Sequence, residues 1–414
     1  MSQMTMLTAL AVARGVVLAL EIALAIPLAY LLALAVAAAI GTLRAASASR
    51  KNAAQTPTAT FAILVPAHDE ELLIGKALNS LTKLAYPRDR YAVHVIADNC
   101  TDRTAEIAGA AGENVHVHQR FDEEKRGKGF ALAWAFDLLI HGETQYDAYI
   151  VLDADAVVEP GFLAALARGL ARVGLALQSH NAVLNAAESP TSALRWLALS
   201  LMNYIRPLGR NILGGSSTLT GNGMCLTHEI LTRYPWQAFG LSEDYQYYLS
   251  LVASGEKVLF VPDATVRSVM PTTARQLKTQ DIRWESLSPD ASSWQRRIAL
   301  RLFRDGLRRH SWVRLDALAE LLTPPLSALA GGCALLLVAA IALLAPLQMI
   351  VAALLTVALL AYVASAFALL RPPLSVYRAL IYAPAYIIRK LWVYFVLRRL
   401  RKYTATWTRT IRTA

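Results

Sequence analysis

Apolar residues run almost unbroken from Val16 to Ile40, long enough to cross the roughly 30 Å hydrocarbon core of a bilayer as a helix. Two more such runs, Leu322 to Leu344 and Leu347 to Leu370, lie near the C-terminal end. Ala345 and Pro346 separate them, which predicts a helical hairpin. Only Arg14 flanks the first run on its N-terminal side and no small-residue cleavage site follows, so it reads as an uncleaved anchor. Glu21 interrupts it near one end and is expected to reach the interface, a buried functional acid being the other reading. Arg296 to Leu315 alternates apolar and basic residues at helical spacing, as a helix lying on a membrane does. Tyr377 to Phe395 is apolar and aromatic but carries Pro384, Arg389 and Lys390. It reads as an interfacial or re-entrant segment, with a fourth span as the alternative.

Between these segments the period changes. Short apolar runs at Phe61–Val65, Ala92–Ala97, Val115–His118 and Tyr149–Leu152 alternate with helical patterns near Leu72–Leu84, Thr104–Ala111 and Gly129–Leu139. Short buried strands alternating with helices give a parallel sheet with right-handed crossovers, and ligands bind beyond the C-terminal ends of such strands. Polar groups gather at those ends: His68, Asp69, Glu70 and Glu71, then Asp98, then Asp153 and Asp155. No GxGxxG follows the first strand, which disfavours a dinucleotide fold.

Composition sharpens this picture. Of 414 residues 55% are hydrophobic and 17% charged, too apolar a balance for an ordinary soluble protein. The net charge of +11 would suggest nucleic acid in a soluble chain. Here much of it flanks the apolar runs: Arg44, Arg50 and Lys51 after the first, Arg296 to Arg314 before the second, and the tail beyond Arg371. Lys and Arg concentrate on the cytoplasmic side. The stretch from Arg44 to Arg314 is therefore expected in the cytoplasm of a bacterial inner-membrane protein with three spans. Membrane lipid, not nucleic acid, is the expected polyanion. The expected organisation is an anchor (1–44), a linker (45–60), a cytoplasmic domain (61–290), an amphipathic interfacial helix (291–320), a transmembrane hairpin (321–370) and an interfacial segment with basic tail (371–414). Three scattered cysteines, Cys100, Cys225 and Cys333, give no disulfide or zinc framework.

Several groups of residues could do chemistry. Asp153-Ala154-Asp155 leaves a strand with two carboxylates at i and i+2, which can share a hard cation such as Mg²⁺ or Mn²⁺; a solvated turn is the bland alternative. Asp98 can accept hydrogen bonds from a nucleobase or ribose, or can cap the next helix, a task that suits Asp102 better. Glu124 to Gly129 is basic and glycine-rich and leads into a helix, so Lys128 and nearby amides suit phosphate; a charged flexible loop is the alternative. Gly214-Gly215 and Thr220-Gly221-Asn222-Gly223 allow close backbone approach to a ligand, or simply turn. Glu243-Asp244 opens an aromatic helix, where the helix dipole accounts for acids but one could also serve as a general base. Gln280, Arg283 and Trp284 share a helix face that suits phosphate and a sugar ring, or an interfacial helix.

Taken together, these elements resemble family-2 glycosyltransferases of the GT-A fold, and more closely the membrane-bound synthases of cellulose, chitin and hyaluronan type. The family's signatures are an Asp after the second strand, a DxD, an acid in an ED motif, and QxxRW. They stand in order here as Asp98, Asp153-Ala154-Asp155, Glu243-Asp244 and Gln280-Asp281-Ile282-Arg283-Trp284. Val65-Pro66-Ala67-His68-Asp69-Glu70-Glu71 looks like the family's opening segment, with Asp69 where Asn is common. The resemblance implies an α/β fold with a mixed, mostly parallel sheet flanked by helices, and transmembrane helices at both ends. It further implies that Pro66, His68, Glu70 and Asp98 hold the nucleoside, Asp153 and Asp155 the Mg²⁺ or Mn²⁺ and diphosphate, and that Lys128 and Arg283 serve the donor. Thr220, Gly221, Asn222, Glu243, Gln280 and Trp284 would border the acceptor, and Asp244 would be the base. The implied reaction is inverting transfer from a nucleotide-sugar, by resemblance a UDP-sugar, to a polysaccharide or lipid-linked acceptor. Three or four spans are few for a polymer channel, which leaves a glycolipid-forming enzyme as the alternative and an inactive nucleotide-sugar-binding protein as a second.

Overall fold

A computed structural model describes residues 3–48, 58–172, 174–240, 242–273 and 291–399. The chain opens with α1 (Gln3–Ala48) and continues into a sheet. Strands β1 (Phe61–Ala67), β2 (Tyr91–Asp98), β3 (Val115–Arg120) and β4 (Ala148–Val151) are the expected apolar runs. They pair in parallel in the order β3-β2-β1-β4. Beyond β4 the sheet is mixed. There β7 (Met224–Thr227) runs antiparallel to both β4 and β6 (Ala176–Val183). In turn β8 (Val258–Ser268) runs parallel to β6, and β5 (Val157–Val158) closes the edge antiparallel to β8.

Both faces of the sheet are covered, which is why its strands read as continuous apolar runs. On β1, Phe61, Ile63 and Val65 join one core with α2 (Ile74–Leu81), α3 (Thr104–Gly109) and α5 (Phe162–Leu170). The alternate residues Ala62 and Leu64 join a second core with α4 (Lys128–Ile140), α8 (His228–Arg233) and α9 (Glu243–Ser254).

At the β3 edge a histidine stack tops the sheet. His94 is 5% exposed; its Nδ1 lies 3.0 Å from His118 Nε2 and its Nε2 lies 3.2 Å from the Tyr146 hydroxyl. Its ring also stacks on His116. Burial first, then the charges His118 and His116 would carry, pushes the His94 pKa down to about 3, and burial lowers His118 as well. An unfolded histidine titrates near 6.5, so between about 6.5 and 3 the unfolded chain binds protons that the fold refuses. The stabilising difference is complete above 6.5 and is lost as pH falls through that window. The detergent-solubilised protein is expected to unfold at a lower temperature at pH 5 than at pH 7, and His94→Phe should flatten that dependence. An equal drop in the variant would place the origin elsewhere.

The remaining helices depart from the sequence reading in three places. Leu322–Leu344 is not one helix: Pro324 and Pro325, which cannot continue a helix, separate α11 (Trp312–Leu322) from α12 (Leu326–Ala342) with a 65° bend. Arg296–Leu315 is also divided, into α10 (Ala291–Arg308) and α11, by a turn in which His310 takes φ 49°. Ile298 and Leu302 of α10 are buried in the second core, while Leu300, Phe303 and Leu307 stay exposed among arginines. Tyr377–Phe395 forms α14 (Leu374–Arg378), a short 3₁₀ turn and α15 (Ala383–Arg399), which packs on α12. Glu21 does not reach out. It shares an α1 face with Val17 and Leu24, which pack on α12 and α13 (Pro346–Leu370), and both its carboxylate oxygens are buried without a hydrogen-bond partner among the described residues. Leu7–Arg44 and Pro346–Leu370 are long and apolar enough to cross a membrane, and α11 with α12 would make a third if the bent pair is one span.

One segment ties the sheet domain to these helices. After β6 come α6 (Pro190–Ser200), a π turn (Leu201–Ile205) and α7 (Arg206–Ile212). Trp196, Leu197, Leu201 and Ile205 share a core with Leu28 and Leu31 of α1 and Leu359 and Tyr362 of α13. A Cβ on Gly209 would stand 2.2 Å from the Leu34 carbonyl oxygen, so glycine lets α7 lie against the backbone of α1. Two buried arginines of α7 then knit five helices. Arg206 bonds Glu320 of α11 at 3.1 Å and the Tyr362 hydroxyl at 2.8 Å. Arg210, fully buried, bonds Asp316 of α11 at 2.8 Å and the Tyr248 hydroxyl of α9 at 2.8 Å, while Tyr30 of α1 donates to Asp316 at 2.9 Å.

Candidate active site

The parallel strands β1, β2 and β4 release their chains at one rim of the sheet, where the predicted residues meet. Pro66 is the penultimate residue of β1 and Asp98 the last of β2. Asp98 is 5% exposed and does not cap the next helix; Asp102 instead accepts from the Thr104 amide at 2.9 Å. The Asp98 carboxylate receives Arg120 Nη1 from the end of β3 at 2.5 Å, and its carbonyl accepts from His68 Nδ1 at 2.7 Å. Arg120 also reaches Asp122 at 2.9 Å and the Lys125 carbonyl at 3.0 Å, so it fixes the start of the basic glycine loop. The Glu70 amide donates to Thr104 Oγ1 at 2.7 Å.

Nearby, Asp69, Cys100 and Asp102 bring possible ligand atoms within 4.8 Å of one another. Asp69 already accepts from the Thr101 amide at 2.7 Å and Asp102 from the Glu71 amide at 3.1 Å. Burial pushes the Cys100 thiol up, away from the ligating thiolate. This group joins two loops, with Asp69 at φ 53° and Asn99 at φ 51° making the tight turns.

The second grouping has Lys128 at its centre. Lys128 is the first residue of α4, and its ammonium donates to Asp153 Oδ1 at 2.5 Å and to the Gly221 carbonyl at 2.8 Å. Asp153 and Asp155 follow β4, and the Asp153 amide donates to Asn222 Oδ1 at 3.2 Å. Gly221 takes φ +73°, and a Cβ there would stand 2.9 Å from Asp244 Oδ2 and 3.5 Å from Lys128 Nζ. Close approach, beyond turn chemistry, therefore explains this glycine.

Glu243 and Asp244 form the first turn of α9, where the helix dipole favours anions. Burial, then the neighbouring Asp244, pushes Glu243 up to about 7 while Lys128 pulls the other way. Burial likewise raises Asp244, opposed by Lys128. Both acids thus hold protons more tightly than free carboxyls do, as a proton acceptor working near neutral pH must.

The loop opposite is held from below. Gln178 on β6 accepts from the Thr220 amide at 3.0 Å and donates to the Asn222 carbonyl at 2.9 Å, and Asn222 donates to Ser268 Oγ at 2.9 Å. The Thr220 hydroxyl is buried with no partner among the described residues. Gln280, Arg283 and Trp284 lie outside the described residues. The sequence reading did not single out Arg120 or Gln178. A charged residue closing the run Val115-His116-Val117-His118-Gln119-Arg120 beside Asp98 was a usable signal for the first. Gln178 had none, because β6 was not read as a strand.

A parallel sheet that turns mixed, with a DxD at the switch and an acid pair across from it, is the frame of a nucleotide-sugar transferase. The family model described as "Glycosyltransferase like family 2" matches residues 57–286, and the chain belongs to this family. It is 26% identical over 243 residues to a probable glycosyltransferase of Bacillus subtilis, covering 57% of this chain and 56% of that one. It is 29% identical over 238 residues to a beta-monoglucosyldiacylglycerol synthase of Synechocystis sp., covering 56% of this chain and 48% of that one. The chain thus spans about half the length of these curated relatives. Among solved structures, a mannosyltransferase from Pyrobaculum calidifontis in complex with GDP-Man and Mn²⁺ superposes with a TM-score of 0.51 at 16% identity, covering 94% of this chain and 100% of that one. That likeness is one of fold: the sheet is of GT-A type.

Proposed function

We propose that this chain moves a sugar from a nucleotide-sugar, a UDP-sugar in this reading, onto a hydroxyl of a membrane lipid or lipid-linked acceptor, inverting the anomeric carbon to a β bond. The observation that carries the reading is the meeting of Lys128, Asp153, the buried Glu243 and the half-buried Asp244 around Gly221. Asp244 takes the proton of the acceptor hydroxyl as that oxygen attacks the anomeric carbon from the face opposite the leaving diphosphate. Lys128 stabilises the charge that develops on the diphosphate. Asp98, with Pro66, His68 and Glu70, holds the nucleoside. Thr220, Gly221, Asn222 and Glu243 border the acceptor, and Gln280, Arg283 and Trp284 serve the diphosphate and acceptor.

Asp153 and Asp155 offer hard carboxylate oxygens, and the ammonium already on Asp153 marks the pocket as one that takes a cation. These residues fit Mg²⁺ or Mn²⁺, which would neutralise the departing diphosphate when bound.

A lipid acceptor is supported by the knitting of α9 to the long apolar helices and by the name of the cyanobacterial relative. The two long apolar helices and the basic residues flanking them support a multi-pass protein of the bacterial inner membrane with this domain on the cytoplasmic side. Extension of a polysaccharide, as in cellulose- or chitin-type synthases, is the second reading, favoured by the Gln280-Asp281-Ile282-Arg283-Trp284 sequence. The test is nucleoside-diphosphate release by the purified protein in lipid, across a donor panel with Mg²⁺ or Mn²⁺ and membrane lipid extract as acceptor. Release from one donor, abolished by chelator and accompanied by a sugar-bearing lipid, is the expected result. A polymeric product would favour the second reading. No release from any donor would leave a nucleotide-sugar-binding protein in place of an enzyme.

A further inference from the structure

We propose that Lys128 is a resident cation that closes the carboxylate pocket before the donor arrives, and that its departure makes donor loading release the acceptor loop. The inference rests on the metal and donor reading above and adds an order of events to it.

The first support is electrostatic. Lys128 donates to Asp153 Oδ1, and a Cβ on Gly221 would lie 3.5 Å from its ammonium and 2.9 Å from Asp244 Oδ2, so carboxylates stand around it. Yet it stands on the first turn of α4, where the helix dipole disfavours a cation. Carboxylates, and not its own helix, therefore hold it in place.

The second support is geometric. Asp153 Oδ1 is 2.5 Å from the ammonium, and Asp153 is also a proposed metal ligand. An oxygen that ligates a divalent cation at about 2.1 Å while keeping that ammonium would bring the two cations within about 5 Å of each other in a half-buried site, where they repel. A cation taking that same oxygen therefore displaces Lys128 from Asp153, and the donor diphosphate would become its new partner.

The third support is the second bond of the same ammonium. Lys128 also holds the Gly221 carbonyl, and Gly221 is packed against Asp244 Oδ2. When Lys128 moves, the Thr220–Asn222 loop loses this tether on its ligand side while Gln178 still holds it from beneath. The movement belongs to the side chain, because the start of α4 is pinned. A Cβ on Gly129 would lie 2.4 Å from the Ala238 carbonyl oxygen, and Trp236 Nε1 donates to the Gly129 carbonyl at 3.1 Å.

The test is Mn²⁺ binding to the full chain in lipid nanodiscs, followed by the electron paramagnetic resonance signal of free Mn²⁺. Wild type, Lys128→Gln, Lys128→Arg and Asp155→Asn are compared with and without uridine diphosphate. Without nucleotide, Lys128→Gln is expected to bind Mn²⁺ roughly tenfold or more tightly than wild type, and Lys128→Arg to resemble wild type. Uridine diphosphate should tighten Mn²⁺ binding in wild type and much less in Lys128→Gln. Lys128→Met replaces Lys128→Gln if that variant does not fold. Unchanged or weaker Mn²⁺ binding in the neutral variant, with binding still lost in Asp155→Asn, would overturn the proposal and leave the metal site standing. Binding that survives in Asp155→Asn would overturn the metal reading itself.

Discussion

Asp244→Asn is expected to lower sugar transfer by about 10²- to 10⁴-fold, the usual contribution of a general base. Asn keeps the volume of Asp and can still accept from the Tyr245 amide, which now donates to Asp244 Oδ1 at 2.8 Å. Folding and Mn²⁺-dependent nucleotide binding should therefore survive, and the loss should fall on kcat and kcat/KM together, as for an interaction made only in the transition state. Glu243→Gln provides the contrast. Glu243 is 8% exposed and raised to about 7, so it also holds its proton tightly, but it lies one residue earlier on α9 and faces a different direction. Its replacement should cost less activity and act partly through KM. Full transfer by Asp244→Asn would move the base to Glu243 or to a group outside this pair.

Arg210→Met is expected to cost about 3–5 kcal/mol of stability, because it strands the carboxylate of Asp316 in a buried site. The two side chains are 0% and 2% exposed, and no solvent can replace the lost partner. Asp316 would keep hydrogen bonds from Tyr30 and the Ser216 amide, which do not neutralise its charge. Adding Asp316→Asn removes that charge and should restore part of the loss. Thermal unfolding in detergent reads both effects, and a single variant that melts like wild type would show that the pair contributes little. The change should also slow transfer below the melting range, since Arg210 holds the Tyr248 hydroxyl of the helix whose first turn carries Asp244.

The first half of the fold was legible because its strands are buried on both faces. Runs such as Phe61–Val65 and Ala92–Ala97 advertise themselves by hydropathy, and polar residues at their ends mark the rim where ligands bind. The second half was not. On β6, Gln178, Ser179, His180 and Asn181 interrupt the apolar pattern because they serve the loop above and the bulge against β8, so the strand does not look like one. The site divides in the same way. Asp98, Asp153, Asp155 and Asp244 sit at recognisable positions, but the pairing of Asp98 with Arg120 and of Lys128 with Gly221 joins residues far apart in the chain. The helices erred for a local reason. Hydropathy alone runs through Pro324 and Pro325, whereas the backbone cannot.

The packing of α6 and α7 against α1 and α13 ties the sheet domain to the long apolar helices. A gene fragment beginning after residue 57 would unroof Trp196, Leu201 and Ile205 and, without α11, strip Arg206 and Arg210 of Glu320 and Asp316. Such a fragment would carry an exposed apolar flank and two uncompensated charges. Modularity visible in the linear sequence is thus absent from the folded object, and the chain has to be handled, engineered and inherited as one piece.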